Sequence, residues 1–265
     1  IAKRNKIAFE VFADKRKLFL KQAQKEISKQ IKNLLNITDI RTALYTEEVG
    51  EIKKAGYDIH KIILRKENEI PLPVLFISPG KSKPSKIIVY LNEAGKNKIV
   101  DDSSVIQSHL QNNQAIILAD LRGFGETEDK AEFNDPKYYN KESRNAMLAL
   151  HVGKNIVGQR VNDIITLIEF IKTKNELTEA DIEVVATGAA TIPALHYAAL
   201  KNNISTLTCY DGIYSYQEIL SNPVQKNWYS YIVLNALQFY DLPDLVEMAT
   251  KVRIKFPLTD KFSAR

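Results

Sequence analysis

The chain has 265 residues, of which 45% are apolar and 26% charged, a composition typical of a folded globular protein. Its net charge of +5 raises the question of nucleic-acid binding. However, much of the excess lies near the N-terminus and no nucleic-acid-binding motif accompanies it, so we expect no nucleic-acid partner. No apolar run approaches the roughly 20 residues that span a bilayer, so we expect no transmembrane segment.

The residue types that bind metals or form disulfides are sparse. Cys209 is the only cysteine, which excludes an intramolecular disulfide and indicates a buried strand thiol. The four histidines are scattered along the chain and offer no zinc-ligand spacing. We therefore expect no metal and no cofactor.

Residues 1–36 are predicted to form one long helix. Apolar residues recur near helical spacing from Ala8 to Leu34, with Lys, Arg and Gln between them and no Gly or Pro. A helix with one apolar stripe is expected to pack against the domain that follows it. We divide the chain into an N-terminal helical extension, residues 1–44, and a main domain, residues 45–265.

The main domain opens with short β-type runs. Residues 56–64 and 71–77 flank a charged turn and predict an antiparallel pair of strands. Residues 87–91 and 115–119 are continuous β-branched runs typical of buried parallel strands. A helix beginning at Asp102-Ser103-Ser104 lies between them, so they predict a right-handed β-α-β unit.

Later runs continue this alternation. Strands are predicted at 182–186, 207–210 and 253–258, and helices at 156–173 and 192–200. An antiparallel entry followed by alternating strands and helices predicts an α/β fold. We expect a mostly parallel sheet flanked by helices and preceded by the long N-terminal helix.

Candidate functional residues follow the strands, because ligands of open α/β sheets bind beyond the carboxyl ends of the strands. The first such loop is Asn92-Glu93-Ala94-Gly95, and the second spans residues 120–127. The second loop lacks the glycine spacing of a phosphate-binding loop. Its opposite charges, Arg122 and Glu126, predict a structural loop held by an ion pair.

The segment Ala186-Thr187-Gly188-Ala189-Ala190 is typical of a nucleophile elbow, in which a strand turns directly into a helix. This turn needs small residues two before and two after the nucleophile. Ala186 and Ala190 meet that demand and place Gly188 at the nucleophile position. A register two residues later would place Ala190 there and is less favourable, because Ile192 would be crowded.

Neither register supplies a hydroxyl or a thiol. Thr187, Thr191 and Ser205 are weaker substitutes, since a hydroxyl needs an adjacent base to become nucleophilic. In this type of site an acid and then a histidine follow the nucleophile along the chain. Asp260 suits the acid position, but no histidine follows it. His151 and His196 lie in apolar, helical contexts that indicate a structural role.

Four groups of residues together resemble one family. They are Asp120–Thr127, His151–Lys154 with Gly158–Asp163, Ala194–Leu200, and Tyr240–Leu245. This combination resembles the acetyl xylan esterase-like branch of the α/β-hydrolase superfamily, over about residues 45–262.

The resemblance implies roles for individual residues. Gly188 stands where active relatives keep serine, and Asp260 matches their acid. The loop of Asn92, Glu93 and Ala94 lies where relatives build part of the oxyanion hole, to which Ala189 is added. Arg160 and Asp163 look like an internal ion pair. The chain also stops where relatives continue, so we expect a truncated C-terminus, and the family favours a periplasmic, surface or secreted location.

Three functional hypotheses follow. The first is an acetyl xylan esterase-like carboxylic ester hydrolase for acetylated polysaccharide or oligosaccharide. It is impaired because the serine and histidine are missing, which makes it a pseudoenzyme of polysaccharide degradation. The second is a non-catalytic domain that binds glycan or protein, with the N-terminal helix as the docking element. The third, ranked last, is hydrolysis by the carboxylates of Glu93, Glu126 and Asp260.

Overall fold

A computed structural model describes residues 2–37, 42–54, 56–80, 83–133, 142–175, 177–221 and 229–257. Within these ranges the strands are β1 Leu44–Lys54, β2 Tyr57–Lys66, β3 Leu72–Pro79, β4 Lys86–Asn92, β5 Gln114–Ala119, β6 Asp181–Thr187, β7 Thr206–Tyr210 and β8 Arg253–Lys255. The helices are α1 Ala2–Phe19, α2 Gln24–Leu35, α3 Asn97–Val100, α4 Ser103–Gln111, α5 Ser143–His151, α6 Ile156–Thr173, α7 Thr191–Lys201, α8 Tyr216–Ser221 and α9 Leu242–Met248.

The described strands form one sheet in the order β1-β2-β3-β5-β4-β6-β7-β8. β1, β2, β3 and β5 pair antiparallel to one another, and every pair from β5 through β4 and β6 to β8 is parallel. The predicted α/β fold, a mostly parallel sheet flanked by helices, is therefore confirmed. Among the helices described, none combines the length and apolar character needed to cross a bilayer.

The central elements agree closely with the sequence pattern. α6 has the predicted bounds, and Asp102 caps α4 by accepting the N–H groups of Ser104 and Val105. The pattern does not indicate β1, because this edge strand is rich in Glu and Lys and nearly all of its side chains are exposed. The last strand is shorter than predicted, and residue 258 lies outside the described residues.

The predicted single helix over residues 1–36 is two helices, α1 and α2, separated by residues 20–23. The reason is that they cover different surfaces of the domain. α1 packs against α8 and a 3-10 turn at Ala236–Gln238, with Phe19 edge-on to Phe239. α2 packs against α6 and buries Ile27, Ile31 and Leu35. A straight helix could not follow both surfaces.

The contact between α2 and α6 is a close approach of backbones. Gly158 lies in the first turn of α6, and a Cβ at this position would lie 2.7 Å from the carbonyl carbon of Leu35 and overlap its oxygen. Asn155 caps α6 by accepting the Gly158 N–H at 2.7 Å, and its amide also donates to the carbonyl of Leu34 at 2.8 Å. The end of α2 is thus seated on the start of α6.

Replacing Gly158 with alanine is expected to destabilise the protein by about 2–3 kcal/mol, because α2 would have to move away from α6. Gly50→Ala is the matched control, since its Cβ would meet only a Lys61 side-chain carbon at 3.7 Å. That control should change stability by less than about 0.5 kcal/mol. Urea unfolding measures both variants, and equal effects would contradict the close approach.

Candidate active site

The segment around Gly188 has the geometry of an elbow. β6, between β4 and β7 in the sheet, ends at Thr187, a 3-10 turn spans Gly188–Ala190, and α7 begins at Thr191. Gly188 has φ +64°, in the left-handed region that favours glycine and that a nucleophile elbow imposes on its central residue. The turn is buried at the carboxyl edge of the sheet, where the sequence places the site.

The carboxylate of Glu93 fills the space beside Gly188. A Cβ at position 188 would overlap the Glu93 carboxylate carbon and both of its oxygens. The Ala189 N–H donates to Glu93 Oε2 at 2.7 Å, and the Tyr231 hydroxyl donates to the same oxygen at 3.3 Å. A carboxylate therefore lies where the side chain of a nucleophile would begin.

Three of the backbone donors predicted for an oxyanion hole have acceptors within the chain. The Glu93 N–H donates to the Thr187 carbonyl at 3.3 Å, and the Ala94 N–H to the side-chain oxygen of Asn92 at 2.8 Å. The Ala189 N–H is taken by Glu93. Asn92, Glu93, Ala94 and Ala189 are thus brought together, and their assignment to an oxyanion hole stays a prediction.

Tyr231 is the site residue that the sequence analysis misses. Burial raises the pKa of its hydroxyl, and the negative charge of Glu93 raises it further. Tyr231 therefore stays protonated at neutral pH and remains a hydrogen-bond donor to Glu93. Tyr231 lies 138 residues after Glu93 in the chain, in a segment of irregular structure that carries no recognisable motif.

Two of the three substitute hydroxyls, those of Thr191 and Ser205, have structural partners. Thr191 is buried, and its hydroxyl donates to the carbonyl of Gly188 at 2.7 Å. The Ser205 hydroxyl donates to the carbonyl of Ile182 at 3.1 Å, at the start of β6 and the opposite edge of the sheet from the elbow. Neither contact supplies the base that would activate a hydroxyl.

The described histidine contacts lie away from Gly188. His196 is fully buried, with Nδ1–H donating to the Ile192 carbonyl at 2.8 Å and Nε2 accepting from the Tyr240 hydroxyl at 2.7 Å. Its predicted structural role is confirmed. His60 bonds Glu48, His109 bonds Tyr90 and Gln114, and His151 is exposed at the end of α5. Asp260, the predicted acid, lies outside the described residues.

The predicted ion pair between Arg122 and Glu126 is wrong. Arg122 instead reaches Asp163 on α6 at 2.6 Å and Glu69 at 2.7 Å. Burial lowers the pKa of the Arg122 guanidinium, but these two carboxylates outweigh it and the net shift is upward. Glu126 pairs with Lys96 on the neighbouring loop, so both charges bind groups outside their own loop.

The predicted ion pair between Arg160 and Asp163 is also wrong, because Asp163 is taken by Arg122. The fully buried Arg160 guanidinium pairs with Glu142, donates to the Arg122 carbonyl at 3.0 Å, and stacks 3.7 Å from the Phe124 ring centroid. One of its nitrogens, Nη1, has no hydrogen-bond partner among the described residues.

The described residues contain no cluster of three or more His, Cys, Asp or Glu side chains that could hold a metal. Cys209 lies buried in β7, and burial raises the pKa of its thiol to about 12, so this thiol is not a ready nucleophile. A polar cleft of about 550 Å³ lies elsewhere, between α6 and the β2–β3 turn. Its charged residues include pairs such as Lys66–Glu169 and Arg122–Asp163.

No protein-family model and no curated protein matches the sequence, but solved structures match the fold. A candidate acetyl xylan esterase from Bacteroides fragilis has a TM-score of 0.73 at 13% identity, covering 88% of this chain and 66% of that protein. Acetyl xylan esterase 1 from Thermoanaerobacterium sp. matches at TM-score 0.55 and 12% identity, covering 91% and 90% of the two chains. A glucuronoyl esterase from Solibacter usitatus matches at a TM-score of 0.58 and 10% identity, covering 89% of this chain and 74% of that protein.

The chain spans slightly less than two thirds of the Bacteroides fragilis protein. At these identities the likeness is one of fold. The chain has the α/β-hydrolase arrangement of acetyl xylan esterases and glucuronoyl esterases, as the resemblance in sequence implies.

Lys96→Met is expected to cost about 3 kcal/mol of stability, because it leaves the buried carboxylate of Asp120 without its cation. This loss of stability should lie at the low end of the range for a broken buried ion pair, since Asp120 keeps two backbone N–H donors, from Lys96 and Glu126. The exposed Lys98→Met is the control and should stay within about 0.5 kcal/mol of the parent. Chemical denaturation of both variants distinguishes these outcomes.

His196 is expected to make stability depend on pH between 6.5 and 4. Burial lowers its pKa from the usual 6.5 to about 4, so the unfolded chain binds the proton more readily. This contribution is fully present above pH 6.5 and is lost as pH falls, by about 3 kcal/mol in total. Urea unfolding of the parent and of His196→Gln should give a stability difference that shrinks over this range. A difference independent of pH would refute the assignment.

Proposed function

We propose that this chain is an acetyl xylan esterase-like hydrolase domain whose ester-hydrolysing centre is impaired. The observation that carries the proposal is the occupation of the elbow by Glu93. Position 188 has no side chain, and the space that a serine would need holds a carboxylate. A nucleophile is thus lacking, and the backbone donor of Ala189 is already used.

The described histidines support the same conclusion. Catalysis by a serine requires a base within hydrogen-bond reach of the hydroxyl. His196, the histidine nearest the elbow in sequence, uses both ring nitrogens in buried hydrogen bonds. Its depressed pKa also makes it a poor proton acceptor at neutral pH. Loss of a nucleophile and a base together typically costs about six orders of magnitude in turnover.

The substrate class is part of the proposal and follows the fold. Structural neighbours of this chain are named acetyl xylan esterases and glucuronoyl esterases. We therefore propose acetylated polysaccharide or oligosaccharide as the substrate class of this fold in the present chain. Gly188 stands at the nucleophile position in this proposal, and Asp260 is retained as the position of the acid.

The alternative is a non-catalytic binding domain, and one surface favours it. An apolar cleft of about 310 Å³ lies between α1 and residues 232–238. Leu18 on α1 and Leu234 beside the cleft are both more than half exposed. Apolar surface of this kind on the N-terminal helices is consistent with docking to a protein partner.

Hydrolysis of a small aryl acetate and of acetylated xylan tests the proposal. The unmodified chain should not exceed the buffer rate. Gly188→Ser alone should also fail, because the serine competes with the Glu93 carboxylate for the same space and that carboxylate still holds the Ala189 N–H. Gly188→Ser combined with Glu93→Ala removes this overlap and frees the Ala189 N–H. The double variant should therefore hydrolyse the aryl acetate faster than either single variant.

One outcome would contradict the proposal. Turnover by the unmodified chain well above buffer would show an active nucleophile elsewhere. If Glu93→Gln then abolished that turnover, the carboxylate of Glu93 would carry the chemistry, as the third hypothesis holds. Glu93→Ala alone is the matched control for the double variant, since it opens the space beside Gly188 without adding a hydroxyl.

A further inference from the structure

The Glu93 carboxylate is held in the way that a protein holds a bound ligand. One of its oxygens accepts the Ala189 N–H at 2.7 Å and the Tyr231 hydroxyl at 3.3 Å. These donors come from two segments remote from Glu93 in the chain. A bond from an N–H group to a charged oxygen is shorter and stronger than a neutral one, as the 2.7 Å distance illustrates.

Both donors are positioned by parts of the structure other than Glu93. The 3-10 turn and the start of α7 fix the direction of the Ala189 N–H, and Thr191 braces the turn through the Gly188 carbonyl. Tyr231 is half-buried, and its raised pKa keeps the hydroxyl protonated at neutral pH. Removing the Glu93 side chain should therefore leave the two donors in place, facing an empty space beside Gly188.

We propose that Ala189, Tyr231 and the space beside Gly188 form a binding site for a small carboxylate, which Glu93 occupies as a tethered ligand. Glu93 thereby keeps free carboxylates and acyl oxygens out of the elbow. The inference rests on the proposed function in taking the elbow to lack a nucleophile side chain, and it adds the chemical class of ligand that the vacant elbow accepts.

The charges nearest Tyr231, apart from Glu93, compensate one another. Arg160 lies close enough to lower the pKa of Tyr231, while Glu142 and Glu93 raise it. Glu142 is itself paired with Arg160, so the charge of that carboxylate is compensated. Loss of Glu93 therefore removes one negative charge from the site, and a free carboxylate restores it.

Glu93 reaches the elbow from the protein surface and blocks it. The residue is exposed overall, although its carboxylate contacts the buried Gly188. A ligand held on the same chain has an effective concentration in the millimolar range or above. A free carboxylate at lower concentration cannot displace it.

Acetate is the probe that matches the vacancy. Glu93→Ala deletes one methylene and one carboxylate, and acetate supplies a carbon and a carboxylate of the same size. The unmodified chain, Glu93→Ala and Glu93→Gln are titrated with sodium acetate, with sodium chloride and acetamide as controls for ionic strength and shape. The thermal midpoint and the amide resonance of Ala189 are followed.

Glu93→Ala should bind acetate saturably and at least tenfold more tightly than the unmodified chain or Glu93→Gln. The midpoint should rise and the Ala189 amide resonance should move with acetate, but not with chloride or acetamide. Adding Tyr231→Phe should weaken acetate binding a few-fold, because its hydrogen bond is the longer of the two. Glu132→Ala, which removes an exposed carboxylate elsewhere, should leave acetate binding unchanged.

The proposal is overturned if folded Glu93→Ala does not bind acetate, or if all three proteins bind it equally. Should Glu93→Ala fail to fold, Glu93→Ser also removes the carboxylate and is tested in the same way. Failure here is distinct from failure of the proposed function. An inactive chain whose Glu93→Ala form ignores acetate refutes only the carboxylate site, whereas ester turnover by the unmodified chain refutes the impaired centre.

Discussion

The buried carboxylate of Asp120 holds together the two loops on which the site depends. It accepts hydrogen bonds from the Lys96 N–H and ammonium, both at 2.6 Å, and from the Glu126 N–H at 3.0 Å. The loop after β4 is thereby fixed to the loop after β5, with a Cβ on Gly95 falling only 2.7 Å from the Gly125 Cα. Glu93 lies in the first of these loops, so its position at the elbow follows from this anchor. The same edge is supported by two further ion pairs. Arg122–Asp163 connects the second loop to α6, and Arg160–Glu142 connects α6 to the start of α5.

Most of the sheet could be predicted from the sequence because its central strands are buried on both faces and leave continuous apolar runs. Ile87–Leu91 and Ala115–Ala119 are of this type. α6 could be predicted for another reason, because its apolar residues recur at helical spacing. β1 has no such apolar run, since among the described strands it pairs with β2 alone and nearly all of its side chains face solvent. The division of residues 1–36 into α1 and α2 could not be predicted either, because the apolar spacing is compatible with one helix and only the shape of the underlying domain bends the chain.

The site was predictable in its backbone but not in its side-chain contacts. Small residues at 186 and 190 indicate the turn that centres on Gly188, because strand and helix approach closely there. Spacing along the chain does not show which way a charged side chain points. Arg122 and Glu126 are neighbours in one loop, yet each binds a different element. The contact of Glu93 with Ala189 and Tyr231 joins three segments, and no local pattern could reveal it.

The overlap between Glu93 and any side chain at position 188 also constrains how this chain could change over generations. A substitution that adds a Cβ at Gly188 while Glu93 is present forces the carboxylate to move, and it also places an L side chain at φ +64°, which carries a folding penalty. A substitution that first removes Glu93 costs none of the buried core, because Glu93 is exposed, and it frees the space beside Gly188 although the left-handed backbone there remains. The two positions are therefore epistatic, and the order of the steps matters. A side chain at position 188 is expected to be tolerated better after Glu93 has been replaced than before.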